Sequence, residues 1–167
     1  MKTIKVKGKE LKLEYSFEAA ENRNVVQKMF SLLSGAFVFK KMTNSNANEV
    51  EEISAAFDGS AEMISEFPHV CKDAFYAGLL ENNPVSEAEA KELMKQYMKD
   101  NKLSFFKLYE EIRGIMESDG FFELSGITDM LKKMSESAEQ TVEEKKEEKI
   151  AKIPQDHKPK QTSISTK

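Results

Sequence analysis

The strongest helical pattern in the chain lies in Phe67–Phe122, which reads FPHVCKDAFYAGLLENNPVSEAEAKELMKQYMKDNKLSFFKLYEEIRGIMESDGFF. Apolar residues recur there every three or four positions in three successive runs, the spacing of one face of an α-helix. Asn82-Asn83-Pro84 ends the first run, because proline lacks an amide donor and pushes its predecessor out of helical geometry. The stretch predicts three consecutive helices, near residues 68–81, 87–100 and 104–118.

Local signals mark the ends of these helices. Ser86-Glu87-Ala88-Glu89 has the form of a capping box, which starts a helix by satisfying its free amide groups. Gly120 follows the third helix and suits a left-handed C-terminal cap. Two adjacent residues cannot both lie on one helix stripe, so at least one of Phe121 and Phe122 is predicted to close the end of the helical bundle.

The N-terminal segment alternates apolar and charged residues, which is typical of half-buried strands. It predicts a β-hairpin over residues 2–15 that rests on the helices, because a two-stranded ribbon alone is marginal in water. The predicted inner face consists of Ile4, Val6, Leu11, Leu13 and Tyr15. The hairpin lysines either form a phosphate-binding patch or are solvated residues that discourage edge pairing, and the negative net charge favours the second interpretation.

Further helices are predicted on both sides of this core pattern. One, over about 17–33, has Ser16 as its N-cap and an apolar stripe of Phe17, Ala20, Val26, Met29, Phe30 and Leu33. A second spans 48–66, and a short third spans 128–134. The dipeptide Asp58-Gly59 is a possible break in the second of these. Four apolar residues at 36–39 are either buried on all sides, which we favour for a compact helical domain, or form an exposed patch that meets a partner.

The composition changes after the last predicted helix. Residues 135–167 contain no aromatic residue and include the mixed charge run EEKKEEK at 143–149. Such a segment cannot bury enough apolar surface to offset its ordering entropy, so it is predicted to be a disordered charged tail. The fold class expected is mainly α with a small N-terminal β-hairpin, as one compact domain over residues 1–134 followed by the tail.

Length and charge exclude several classes of protein. The chain has 167 residues, enough for one domain, and a formal net charge of -4, which argues against a binder of duplex nucleic acid. It has no run of about 20 apolar residues, so no membrane span is expected. One cysteine cannot form an internal disulfide, and MKTIKVKGKE lacks the apolar run of a signal peptide, so a cytoplasmic protein is expected.

The sequence contains no recognisable catalytic or metal-binding constellation. His69, Cys71 and His157 do not supply the four ligands of a structural zinc site, and Cys71 lies on an apolar stripe as a small core residue. No Gly-rich phosphate loop and no nucleophile signature occurs. The many carboxylates are interpreted as solvated charge on helix faces. We therefore predict a protein that is not an enzyme and takes no cofactor or metal.

Aromatic residues off the predicted stripes are the candidates for binding another protein. Each could instead pack against the hairpin and the first helices, but aromatic side chains are enriched where interfaces concentrate their energy. Together with two phenylalanines of the apolar run, the candidate partner-binding residues are Phe37, Phe39, Tyr76, Phe106, Phe121 and Phe122.

Three blocks of sequence resemble one family. They are KTIKVKGKELKLEYSFEAAE at 2–21, DAFYAGLL at 73–80 with the Asn-Pro break and Ser-x-x-Glu helix start behind it, and DGFF at 119–122. In these blocks and in the order of its elements, the chain resembles the tail assembly chaperones of long-tailed bacteriophages, particularly siphophages of Gram-positive hosts. The likeness covers most of residues 1–134.

The resemblance implies a function in tail morphogenesis. Members of the family bind the tape measure protein, keep its apolar helices soluble in the host cytoplasm, and are absent from the mature virion. A longer product of ribosomal frameshifting recruits the tail tube protein in many of them, and homo-oligomers are possible. The family has no catalytic residues to transfer to this chain.

Two other functions remain open from the sequence. One is a structural or adaptor protein retained in the virion, which would share the same interaction surfaces. The other is a small helical DNA-binding regulator, which would need basic side chains on a recognition helix, whereas the chain has only Arg23 and Arg113 as arginines.

Overall fold

The computed structural model describes residues 1–35 and 49–137, with side chains at 1–35 and 57–137. A hairpin of two antiparallel strands precedes a set of helices, so the predicted fold class is confirmed. The strands are β1 (Lys2–Val6) and β2 (Lys9–Leu13), and the helices are α1 (Phe17–Glu21), α2 (Arg23–Leu33), α3 (Glu49–Leu80), α4 (Glu87–Asp100), α5 (Phe105–Ser118), α6 (Phe121–Leu124) and α7 (127–137). The chain divides into the units Met1–Leu131 and Lys132–Lys167.

The hairpin forms as the alternation predicts. Lys7 and Gly8 have φ of 51° and 76°, the left-handed geometry that a two-residue hairpin turn requires at both central positions. The antiparallel register pairs Ile4 with Leu11. All five predicted inner residues are buried, each at most 6% exposed, and they join the core cluster with the helices: Ile4, Val6, Leu11, Leu13 and Tyr15.

The helix predicted at 17–33 is wrong as a single element, because the chain breaks at Asn22. Asn22 has extended φ and ψ of -73° and 97°, and its side chain accepts a hydrogen bond from the Val25 amide, which makes it the N-cap of α2. Ser16 makes no side-chain cap bond, and its hydroxyl donates instead to Glu81 Oε2 at 2.7 Å. Phe17 is 70% exposed and so lies outside the core that its predicted stripe implied.

The two helices predicted at 48–66 and 68–81 form one continuous helix, α3, of 32 residues. Pro68 lies inside it, and neither this proline nor Asp58-Gly59 ends it. A proline leaves the carbonyl four residues earlier without its helical donor. That residue is Ile64, which is 61% exposed, so water can hydrate the carbonyl. The predicted stripe of the C-terminal half is confirmed, since its side chains are all buried: Phe67, Val70, Cys71, Ala74, Phe75 and Leu79.

The two following helices start and end where the sequence predicts. The side chain of Ser86 accepts from the Glu89 amide at 3.2 Å, and that of Ser104 accepts from the Lys107 amide at 3.3 Å, so each caps its helix. Gly120 follows α5 with φ of 73°, the left-handed conformation expected there. Phe121 and Phe122 behind it are 0% and 9% exposed and close the end of the bundle.

Two predictions concern residues outside the described ranges. The apolar run at 36–39 lies within residues 36–48, which the structure does not describe. Residues 138–167 of the predicted tail also lie outside the described ranges. The last described helix, α7, spans 127–137, against a prediction of about 128–134.

Candidate functional site

The structure separates the predicted partner-binding residues. Phe121 and Phe122 are buried in the core, so their assignment to a partner surface is wrong. Phe106 is 51% exposed, with its ring edge-on to Phe67 at a centroid distance of 5.5 Å, and Tyr76 is half-buried beside Asp73. Phe37 and Phe39 lie outside the described residues. The six residues therefore do not form one site.

An open apolar groove lies between α2 and the start of α7, and we call it the α2/α7 groove. Its volume is about 310 Å³. Ile127 is 3% exposed, whereas Met130 remains 51% exposed. The lining side chains come from two elements and the turn between α6 and α7: Val26, Gln27, Phe30, Ser125, Gly126, Ile127 and Met130. Its size and apolar lining suit aliphatic or aromatic side chains of another molecule.

The groove exists because the apolar stripe of α2 is wider than the core can cover. Val25, Met29 and Leu32 are buried, while the next residue in each case, Val26, Phe30 and Leu33, is only half-buried. The sequence pattern placed Val26, Met29, Phe30 and Leu33 on one buried stripe, so the helix lies rotated from that prediction. The doublets Val25-Val26, Met29-Phe30 and Leu32-Leu33 are the signal that identifies two apolar faces.

The described half of α3 that precedes Pro68 also exposes large apolar side chains. Phe57 and Ile64 are 73% and 61% exposed, and their spacing of seven residues places them two turns apart on one face of the helix. Exposed apolar residues in such a row are a second surface on which another protein can pack.

A carboxylate with two lysine partners fixes α2 against α3. Asp73 is 9% exposed, and its two oxygens lie 2.5 Å from Lys28 Nζ and 3.0 Å from Lys72 Nζ. Burial raises the pKa of the Asp73 carboxyl, but the hydrogen bonds and charges of Lys28 and Lys72 outweigh burial and hold the pKa below its ordinary value. Lys28 follows Gln27 of the groove wall, so this ion pair positions one side of the α2/α7 groove.

We expect Asp73→Asn to lower the free energy of unfolding by about 1 kcal/mol at pH 7. The loss is modest because the Lys28 and Lys72 side chains are 32% and 38% exposed and can return to water. Because the folded pKa is depressed, the contribution of Asp73 is present above its unfolded pKa of about 3.9 and is lost as pH falls through the folded pKa. Urea unfolding between pH 7 and pH 2.5 measures the difference.

The control for this prediction is Glu92→Gln. Glu92 forms a salt bridge with Lys95 at 2.6 Å on the surface of α4, where both side chains are more than half exposed. Exposed pairs of this kind contribute little, so the variant should unfold as the wild type does. The role given to Asp73 would be contradicted if the two variants had the same free energy of unfolding. It would also be contradicted if the difference in unfolding free energy between wild type and Asp73→Asn grew as the pH falls.

The described side chains that could ligate a metal or act as a nucleophile are dispersed or buried. Within these ranges no group of three or more His, Cys, Asp or Glu side chains could hold a metal ion. Cys71 is buried and donates a hydrogen bond to the Phe105 carbonyl at 3.3 Å, and burial raises the pKa of its thiol to about 12. The thiol is therefore protonated near neutral pH. None of the helices in the described ranges combines the length and apolarity needed to span a bilayer.

No protein-family model, no curated protein and no solved structure matches this chain. The structural features that bear on function are therefore the α2/α7 groove and the exposed side chains of Phe57 and Ile64 on α3.

Proposed function

We propose that this protein is a non-catalytic phage tail assembly chaperone that holds apolar helices of the tape measure protein in its α2/α7 groove. The observation that carries the proposal is the groove itself, an apolar recess left open on a folded unit whose own core is already closed. The family resemblance, which covers most of residues 1–134, supplies the identity of the client. The same resemblance supports the host cytoplasm as the place of action and absence from the mature virion.

Binding would follow the helix-in-groove mode. An amphipathic client helix presents apolar side chains at positions i, i+3, i+4 and i+7, and one or two of them fill the space between Phe30 and Met130. Burial of each large aliphatic side chain contributes about 1.5–3 kcal/mol. A methionine wall such as Met130 adapts to different side chains, which suits a client that offers many similar helices.

Several weak sites are sufficient for the proposed task. A long client offers many apolar helices, so several copies of the chaperone bind along it and the avidity of the complex increases. The formal net charge of -4 on each copy adds solubility to such a complex. Release follows when tail tube subunits, recruited through a frameshift-extended form, compete for the same apolar surfaces.

Co-expression with the tape measure protein tests the proposal. We expect the soluble fraction of the tape measure protein to rise and the two proteins to co-purify. If neither happens, the chaperone function is wrong. Mass spectrometry of purified particles separates the alternative, because a virion adaptor would be retained in them whereas a chaperone would not.

The variant that tests the groove is Met130→Glu. Met130 is 51% exposed, so the substitution leaves the fold intact, but a client helix in the groove would have to bury an unpaired carboxylate. We expect the affinity for a tape measure fragment to fall at least about tenfold, which corresponds to about 1.4 kcal/mol. Fluorescence anisotropy with a labelled client helix measures it.

Phe17→Glu is the matched control. Phe17 is 70% exposed and is not among the groove residues, so the same charge is introduced on the same folded unit. Its affinity for the client helix should stay within about twofold of wild type. Equal losses for both variants would indicate a diffuse apolar attraction and would remove the groove from the mechanism.

A further inference from the structure

The two edges of the β-hairpin differ in how their backbone groups are used. The outer edge of β2 and its extension are held by the end of α3 and the turn behind it. The Lys12 amide donates to Asn83 Oδ1 at 2.8 Å, and the Glu14 amide donates to the Gly78 carbonyl at 2.8 Å. This edge is therefore occupied within the protein itself.

The outward backbone groups of β1 have no hydrogen-bond partner among the described residues. Lys12 pairs with Thr3, and because the Lys12 amide points away from β1, this pair is one of the non-hydrogen-bonded pairs of the ladder. The amide and carbonyl of Thr3 then point outward from the opposite edge, and those of Lys5, two residues on, do the same. Thr3 and Lys5 are exposed, and no described residue hydrogen-bonds to either outward amide.

The charges beside this edge select what can pair with it. Five of the first twelve residues are lysines, although the chain carries a net charge of -4. Both lysines of β1 form salt bridges, Lys2 with Glu111 at 2.7 Å and Lys5 with Glu10 at 3.2 Å, but the Lys5 side chain remains 79% exposed. Lysines on an edge oppose a second strand of like charge, which includes β1 of another copy, KTIKV. The same lysines attract a strand that carries carboxylates.

We propose that the outer edge of β1 binds an extended acidic segment of another protein, which adds a third strand to the hairpin. The backbone of Thr3 and Lys5 supplies the hydrogen bonds, and carboxylates on the solvent side of the added strand lie beside Lys5. β-branched residues on its other side lie next to Ile4 and Val6. This site shares no residue with the α2/α7 groove, and it does not depend on the proposed chaperone function.

The probe is a fluorescein-labelled eight-residue peptide in which Glu and Val alternate, titrated with the full chain and followed by anisotropy. We expect saturable binding that weakens with salt, and no binding of the matched peptide in which Lys replaces Glu. Binding of the lysine peptide, or no saturable binding of either peptide, would overturn the proposal.

Thr3→Pro separates strand pairing from charge attraction. Proline removes the outward amide of Thr3 but no bond of the β1–β2 ladder, which is where an edge strand tolerates it. We expect Thr3→Pro to weaken the peptide at least tenfold, and Thr3→Val, which keeps the amide, to stay within twofold. Equal affinities for the two variants would show that lysine charge alone holds the peptide and would overturn the edge site.

Hydrogen exchange on the wild-type chain gives an answer that does not depend on how any variant folds. Saturating peptide should slow exchange of the Thr3 and Lys5 amides and leave the Lys12 amide, already bonded to Asn83, unchanged. Unchanged exchange at Thr3 and Lys5 in the presence of bound peptide would place the peptide elsewhere.

Discussion

Phe121→Ala is expected to lower the free energy of unfolding by about 3–5 kcal/mol. The side chain is 0% exposed and is among the largest fully buried groups of the described residues. Its ring lies edge-on to Tyr15 at 6.1 Å and to Phe122 at 5.6 Å, so its removal leaves a cavity and two aromatic rings without a partner. Urea unfolding should show a lower midpoint with an unchanged slope.

Phe106→Ala is the matched comparison. Phe106 is 51% exposed and touches the core through the edge of its ring against Phe67. We expect its removal to cost less than about 1 kcal/mol, since a half-exposed ring loses little transfer free energy. If the Phe121 variant were no less stable than the Phe106 variant, Phe121 would not be a core residue. The comparison thereby separates the two phenylalanines that the sequence placed on one partner surface.

The elements that the sequence predicts well are those specified by local signals. The helices α4 and α5 have both an apolar period and a serine N-cap, and their described bounds match the prediction closely. The hairpin has a period of two and a Lys-Gly turn that tolerates positive φ. In each case pattern and end signal lie within a few residues of one another, so no distant contact is needed to decide the structure.

The helix boundaries that the sequence predicts badly depend on packing between distant parts of the chain. Proline is a stop signal in a helix interior, yet α3 continues through Pro68 while Phe67 and Val70 on either side of it are buried in the core. Burial on this scale exceeds the cost of one lost backbone bond. The break at Asn22 had a readable signal, since asparagine is a favoured N-cap, but a continuous apolar stripe concealed it.

The candidate site was only partly accessible from the sequence. The apolar doublets of α2 can be read as two faces, but which face meets the core depends on the position of α3. The contact between Lys28 and Asp73 joins residues 45 positions apart, and nothing in either local sequence predicts it. Aromatic residues off the helix stripes were a poor guide, because Phe121 and Phe122 fill the end of the bundle.

Gly78→Ala is expected to lower the free energy of unfolding by about 1–3 kcal/mol. A Cβ at this position would lie 2.8 Å from Tyr15 Cζ and 2.9 Å from its hydroxyl oxygen, closer than atoms of a packed core approach. Tyr15 is 0% exposed and belongs to the core cluster, so a shift of its ring disturbs the close packing around it. Alanine normally favours a helix over glycine by about 0.5–1 kcal/mol, and the steric conflict exceeds that gain.

Gly114→Ala is the control with the opposite expected sign. Gly114 lies within α5 and is exposed, and a Cβ built on it would point into open space. The variant should therefore gain about 0.5–1 kcal/mol of stability from helix propensity alone. Thermal and urea unfolding of the two variants measure both signs, and a stabilised Gly78→Ala protein would contradict the close contact with Tyr15.

Substitutions of Tyr15 test the same contact with Gly78 from the other side. Its hydroxyl is buried without a hydrogen-bond partner among the described residues, and burial raises the pKa of Tyr15 far above its ordinary value. Removing an unsatisfied buried hydroxyl relieves a desolvation cost, so Tyr15→Phe should leave stability unchanged or raise it by up to about 1 kcal/mol.

The nearest atom to a Cβ at Gly78 is the ring carbon Cζ, which phenylalanine keeps. The Tyr15→Phe, Gly78→Ala double variant should therefore recover only part of the loss. Tyr15→Leu, which removes the ring, should instead cancel the added cost of Gly78→Ala, and a double-mutant cycle without such coupling would show that the two side chains do not meet.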